Sequence, residues 1–177
     1  MKRIIFATII SLFAISFVPM AFCADPVKIG VIDFERIMKE SSAGKMNQQA
    51  LNSKGTEFKN KLEKEKQALD EIGQSFEKEA LVLSEEKKRD RERDFRNQIE
   101  DFKIMQQNYA NELKNLEIKM INDMQKAVFD IANELGKKEK YTLILEKKNA
   151  GVIYAPAPVD ITDSVINKYN AVTAQGN

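Results

Sequence analysis

The sequence predicts an α+β protein: a small β-sheet body, completed by oligomerisation, that carries a long antiparallel α-helical coiled-coil hairpin. Three observations predict it. Apolar residues repeat every seven positions through two long stretches on either side of Ser84, the pattern of paired amphipathic helices. Proline is absent between Val27 and Ala155, as long uninterrupted helices require. Short β-branched runs occur only near the two ends of that region.

Residues 1–23 read as a secretory signal peptide. Lys2 and Arg3 give a positive start, 4–18 are mostly apolar, Pro19 breaks the run, and small Ala21 and Cys23 precede a cut before Ala24. The run is shorter than the roughly 20 residues of a spanning helix, and bulky Phe22 argues against lipidation of Cys23. The body begins at 24–44. VKIGVID (27–33) alternates like a strand; Phe34, Ile37 and Met38 follow at helical spacing; Ser41-Ser42-Ala43-Gly44 predicts a tight corner.

Residues 45–138 form the expected arm, with its tip near 83–87. Outgoing, Leu62, Leu69, Phe76 and Leu83 make one row of the seam, and Leu51, Phe58, Glu65, Ile72 and Glu79 the other. Returning, the rows are Glu92, Ile99, Gln106, Leu113, Met120 and Ala127, and Phe95, Phe102, Tyr109 and Leu116. After Met120 the phase slips to Met124, Val128, Ile131 and Leu135, a stutter, and Gly136 is expected to end the helix. The two helices are separated by LVLSEEKKRDRERD (81–94), where the apolar pattern stops. Ser84 can cap the returning helix, with Glu85 and Glu86 in its first turn, where the helix dipole favours acids. Antiparallel packing then predicts Leu62 beside Tyr109, Leu69 beside Phe102, Ile72 beside Ile99 and Phe58 beside Leu113. That register rests on Glu65 meeting Gln106 in one polar layer. It also sets Glu79 against Glu92 near the solvated tip, where salt screens the repulsion.

Residues 139–177 complete the body. Tyr141 to Glu146 and Gly151 to Tyr154 read as a β-hairpin, closed by Pro156 and Pro158. Asp160 or Thr162 can cap a last helix carrying Val165, Ile166, Tyr169 and Val172. A sheet this small leaves apolar edges open, so several copies are expected to close one sheet together.

Composition excludes much chemistry. There is no His, and the one Cys leaves with the signal peptide. Thiol and Ser-His-Asp catalysis are therefore absent, as are zinc ligands of the usual N and S type. No phosphate-binding glycine loop is present. Neither an enzyme nor a cofactor or metal is expected. Basic residues number 28 and acidic 27; losing Lys2 and Arg3 leaves 26 against 27, so nothing points to nucleic acid. What remains unexplained is apolar. Ile104 and Ile118 lie opposite the seam, Ile121 lies off it, and Leu81 and Val82 stand near the tip. A solvated helix face should be polar there, so these five are candidate contacts for apolar partners. The rival class is a structural coiled-coil spacer or adaptor of the cell envelope, docked to one fixed partner.

VKIGVIDFERIMKESSAGK (27–45) and YTLILEKKNAGVIYAPAPVDITDSVINKYN (141–170) resemble the ends of the Skp (OmpH-like) periplasmic chaperones of Gram-negative bacteria. Val31-Ile32-Asp33-Phe34 with Ala43-Gly44-Lys45, and Leu143-Ile144-Leu145-Glu146 with the VDITD run (159–163), are the most specific parts. The arms match only as heptads. The resemblance implies a homotrimer with a shared β-body, whose arms hold unfolded outer-membrane proteins in the periplasm without ATP. Members are often strongly basic and this chain is not, which leaves at most a weak contact with membrane or lipopolysaccharide.

Overall fold

The computed structural model describes residues 27–175; the expected signal peptide, residues 1–23, lies outside them. The elements run β1 (Ile29–Ile32), α1 (Phe34–Glu40), α2 (Ser42–Glu79), α3 (Glu85–Lys138), β2 (Leu143–Glu146), a single 3-10 turn (Ala157–Val159) and α4 (Thr162–Gln175).

Capping residues set the first boundaries. The Asp33 side chain accepts from Arg36 N and starts α1. Ser41 ends α1 and caps α2, its side chain accepting from Gly44 N at 3.0 Å, and it is fully buried. Gly44 permits the corner: a Cβ there would lie 1.9 Å from the Met38 carbonyl oxygen. The two long helices, 38 and 54 residues, measure about 57 and 81 Å at 1.5 Å per residue. The longer return helix overshoots its partner, and that surplus builds the body. Met124, Val128, Ile131, Ala132 and Leu135 pack there against Ile32, Ile37, Ile161, Val165, Ile166 and Tyr169. The slipped phase after Met120 thus turns α3 from facing one helix to facing a core. Burial in that core raises the Tyr169 phenol above its ordinary value.

The arm is thinner. Phe58 and Leu69 are the only buried large side chains of α2, and the other apolar residues of the two-helix seam are half-exposed. Phe58 stacks on Tyr109, ring centroids 4.1 Å apart and ring planes nearly parallel. The expected partner was Leu113, so the register differs by about one helical turn. A Cβ at Gly73 would approach the Phe95 ring at 3.3 Å, and Lys54 pairs with Glu112, which agrees with the same offset. Glu65 and Gln106 are both exposed and make no shared buried layer. A two-helix seam is open on both sides, so a long polar side chain at a seam position reaches water. It costs little and fixes no register. Glu79 does not face Glu92 unpaired: it pairs with Arg91 at 3.1 Å, while Glu92 pairs with Arg96. The turn lies at 80–84, a few residues before the expected 83–87, and Ser84 is the N-cap of α3 without a side-chain cap bond. The described residues hold no Cys, so within them cysteines introduced at 58 and 109 should cross-link on oxidation, and cysteines at 58 and 113 should not; the reverse outcome restores the Phe58–Leu113 pairing.

Two further boundaries differ from expectation. Gly136 stays helical. The chain turns instead at Lys140, whose φ is 56°, with Tyr141 N donating to Gly136 O in the six-to-one bond of a left-handed cap. The β-hairpin does not form: 151–154 carry no strand. β2 pairs with β1 in parallel, Ile29 opposite Leu143 and Ile32 opposite Glu146. The far side of β1 bridges Asp160 through Val31. Residues after β2 cross the sheet to reach the other side of β1, and among the described residues they form no ladder with β2. Ile153 and Tyr154 lie on this crossing, 99% and 81% exposed.

Candidate functional site

The residues quoted for the family resemblance do structural work in the base. Asp33 N donates to the buried Thr162 hydroxyl, and Thr162 N donates to Asp160 Oδ1. Ile161 N donates to Val31 O at 2.9 Å. Glu146 accepts from Phe34 N and from Asn149 N. Arg36 pairs with Asp160, Asp163 and Glu40. The Arg36 amide bonded to Asp33, helped by Lys147 at 3.2 Å, holds the Asp33 carboxyl below its usual range. These bonds tie both ends of the chain to β1 and seat the roots of the arm. Their partners are all within the base, which leaves surface chemistry to other residues.

That surface is apolar in two places. The first is the arm. Leu81 and Val82 are 89% and 85% exposed in the turn between α2 and α3. Ile104 and Ile118 are about half exposed on the side of α3 away from the seam. Ile121 differs: it is half-buried and lines a crevice at the arm root with Met38, Leu51, Met120 and Met124. Phe129, 53% exposed, escaped the sequence reading. It follows Val128, which takes the inward position after the stutter; tracking the slipped phase one residue further would have put it outside. Along this arm the side chains offer contact, and no catalytic grouping accompanies them.

The second is the sheet. Ile32 and Ile144 face the helices, while Ile29 and Leu143, opposite each other in register, point to the other face and are 40% and 48% exposed. Val27 beside them is also exposed. Among the described residues, the outer edge of β2 pairs with no strand. The helices cover one face of this sheet; on the other the crossing at 153–155 lies by Val31, which is buried, and Ile29 and Leu143 stay open to solvent. Among the described residues no helix is long and apolar enough to cross a membrane.

Comparison with known proteins agrees with this architecture. No curated protein matches the chain. Among solved structures, a candidate outer membrane chaperone (OmpH-like) from Caulobacter crescentus CB15 superposes with a TM-score of 0.77 at 16% identity, covering 82% of this chain and 85% of that one. The family described as outer membrane protein (OmpH-like) matches residues 28–169, a span that includes both halves of the base and the whole arm. The chain belongs to the OmpH-like outer membrane protein family.

Proposed function

We propose that this protein is an ATP-independent holdase chaperone of the periplasm that keeps unfolded outer-membrane proteins between the helical arms of a homotrimer. The observation that carries the reading is the arm itself. It is two helices thick, packs through one seam, and displays large apolar side chains on the solvent side of that seam. Such an arm offers many weak apolar contacts and can splay, so a client is held without being locked. Family membership and the likeness to a candidate outer membrane chaperone support it. The open apolar face of the sheet supports assembly, because copies meeting there would cover Ile29 and Leu143. Residues 1–23 would direct export and be removed. Client contacts are assigned to Leu81, Val82, Ile104 and Ile118, with Ile121 contributing where the arm root opens.

Diluting a urea-unfolded β-barrel membrane protein into the processed chain should suppress light scattering at stoichiometric excess. Replacing Ile104, Ile118 and Ile121 with Ser should weaken holding by about tenfold, since each buried apolar side chain contributes roughly 1.5–3 kcal/mol when fully covered and these are covered in part. Unchanged scattering with the wild type would refute the holdase. Co-purification of one partner at fixed stoichiometry would favour the spacer or adaptor.

A further inference from the structure

α3 carries a second uncharged seam, on the side away from α2. Ile104, Asn111, Ile118 and Gln125 recur every seven residues, and Asn108, Asn115, Asn122 and Phe129 form a second row four positions on. Steps of four and three residues keep both rows on one helix face. All eight positions are uncharged in a chain whose residues are 31% charged. Seven of them are exposed, and Gln125 is half-covered. Charges flank the stripe, such as the Lys119–Asp123 ion pair, and stay off it. Stripping water from neutral amides costs far less than stripping it from ions. The face is thus suited to a neutral partner.

The amides decide which neutral partner. Each carboxamide offers two N–H donors and an acceptor oxygen. A second copy of this arm would offer them only its own side chains, because a helix bonds its main-chain N–H and C=O groups internally. Its carboxamides would have to meet these one for one at fixed helical spacing, while the facing main chain gives no bond. An unfolded chain presents free N–H and C=O groups along its length. Successive stripe residues rise by about 4.5 or 6 Å, less than the roughly 6.7 Å of a two-residue repeat in extended chain, so such a chain would meet the carboxamides at changing positions and not in a fixed register. We propose that this stripe holds an unfolded, strand-forming client by its main chain: the carboxamides bond its free backbone groups, and Ile104, Ile118 and Phe129 take its apolar side chains. The inference rests on the holdase reading and names what is recognised, an extended peptide backbone, so that clients of unrelated sequence are held alike.

The test replaces Asn108, Asn111, Asn115 and Asn122 together with Ala in the full processed chain. Ala is the best helix former, so the arms stay helical by circular dichroism. The probe is a fluorescently labelled, urea-unfolded β-barrel membrane protein. The variant should bind it roughly tenfold or more weakly, as lost hydrogen bonds require, although its surface is more apolar. Equal or tighter binding, the result of a purely apolar grip, would overturn the proposal. A photo-cross-linker at Asn115 should attach to the probe; attachment to a second copy of the chain without probe would also overturn it. Failure of the wild type to bind the probe refutes the holdase and takes this client with it, whereas indifference of the variant refutes the stripe alone.

Discussion

Gly44→Ala should lower stability by about 3 kcal/mol, the upper range for a group forced into packed structure. The added Cβ would lie 1.9 Å from the Met38 carbonyl oxygen and 2.7 Å from its carbon. Both are backbone atoms at the end of α1, so no side-chain rotation relieves the overlap. Either α1 or the start of α2 must move. Moving α1 disturbs Ile37, which is fully buried; moving α2 breaks the bond from Gly44 N to Ser41 Oγ. A domain of this size has only about 5–15 kcal/mol in total. Gly55→Ala in the same helix is the control. Nothing lies within 4 Å of a Cβ there, so the change should stabilise by about 1 kcal/mol through helix propensity. Urea denaturation followed by circular dichroism reads both. Equal effects at the two positions would mean that the corner is not tightly packed.

Ile29→Lys combined with Leu143→Lys should abolish assembly while leaving the helices intact. The two side chains sit opposite each other on the face of the sheet away from the helices and are 40% and 48% exposed. In a lone chain each ammonium group reaches water and the replacement is mild. Between copies, two unpaired charges would be buried, at a cost of about 4 kcal/mol or more, or roughly a thousandfold in affinity. Sedimentation should show a monomer with unchanged helix content and lost client holding. An unchanged oligomer would place the interface elsewhere.

Much of the fold was legible because it repeats. The heptads of 45–135 demand paired helices, and Ser84 with Glu85 and Glu86 marks where the second begins. The register was not legible. A Glu65–Gln106 layer fixes it only if both are buried, and in an open two-helix seam both escape to water. The sheet was misread for a different reason. Ile29 and Leu143 are more than a hundred residues apart, and local alternation favours a neighbour in sequence over a distant parallel partner. Nothing in 141–155 announces that the chain must cross β1 to deliver Asp160. Lys140 adopts a left-handed turn that composition would assign to Gly136, since the end of α3 is set by where Leu135 and Tyr141 pack. Of the candidate site, the exposed Ile104 and Ile118 followed from heptad phase. Ile121 is half-covered because the hairpin narrows into the base, and Phe129 lies beyond the stutter, where the phase changes.

Native mass spectrometry of the processed chain tests the central claim most directly, because the proposed assembly would cover Ile29 and Leu143 with other copies. Three copies per particle, falling to one in the Ile29→Lys, Leu143→Lys variant, is the predicted result. A wild-type chain that stays a stable single copy at working concentrations would contradict it.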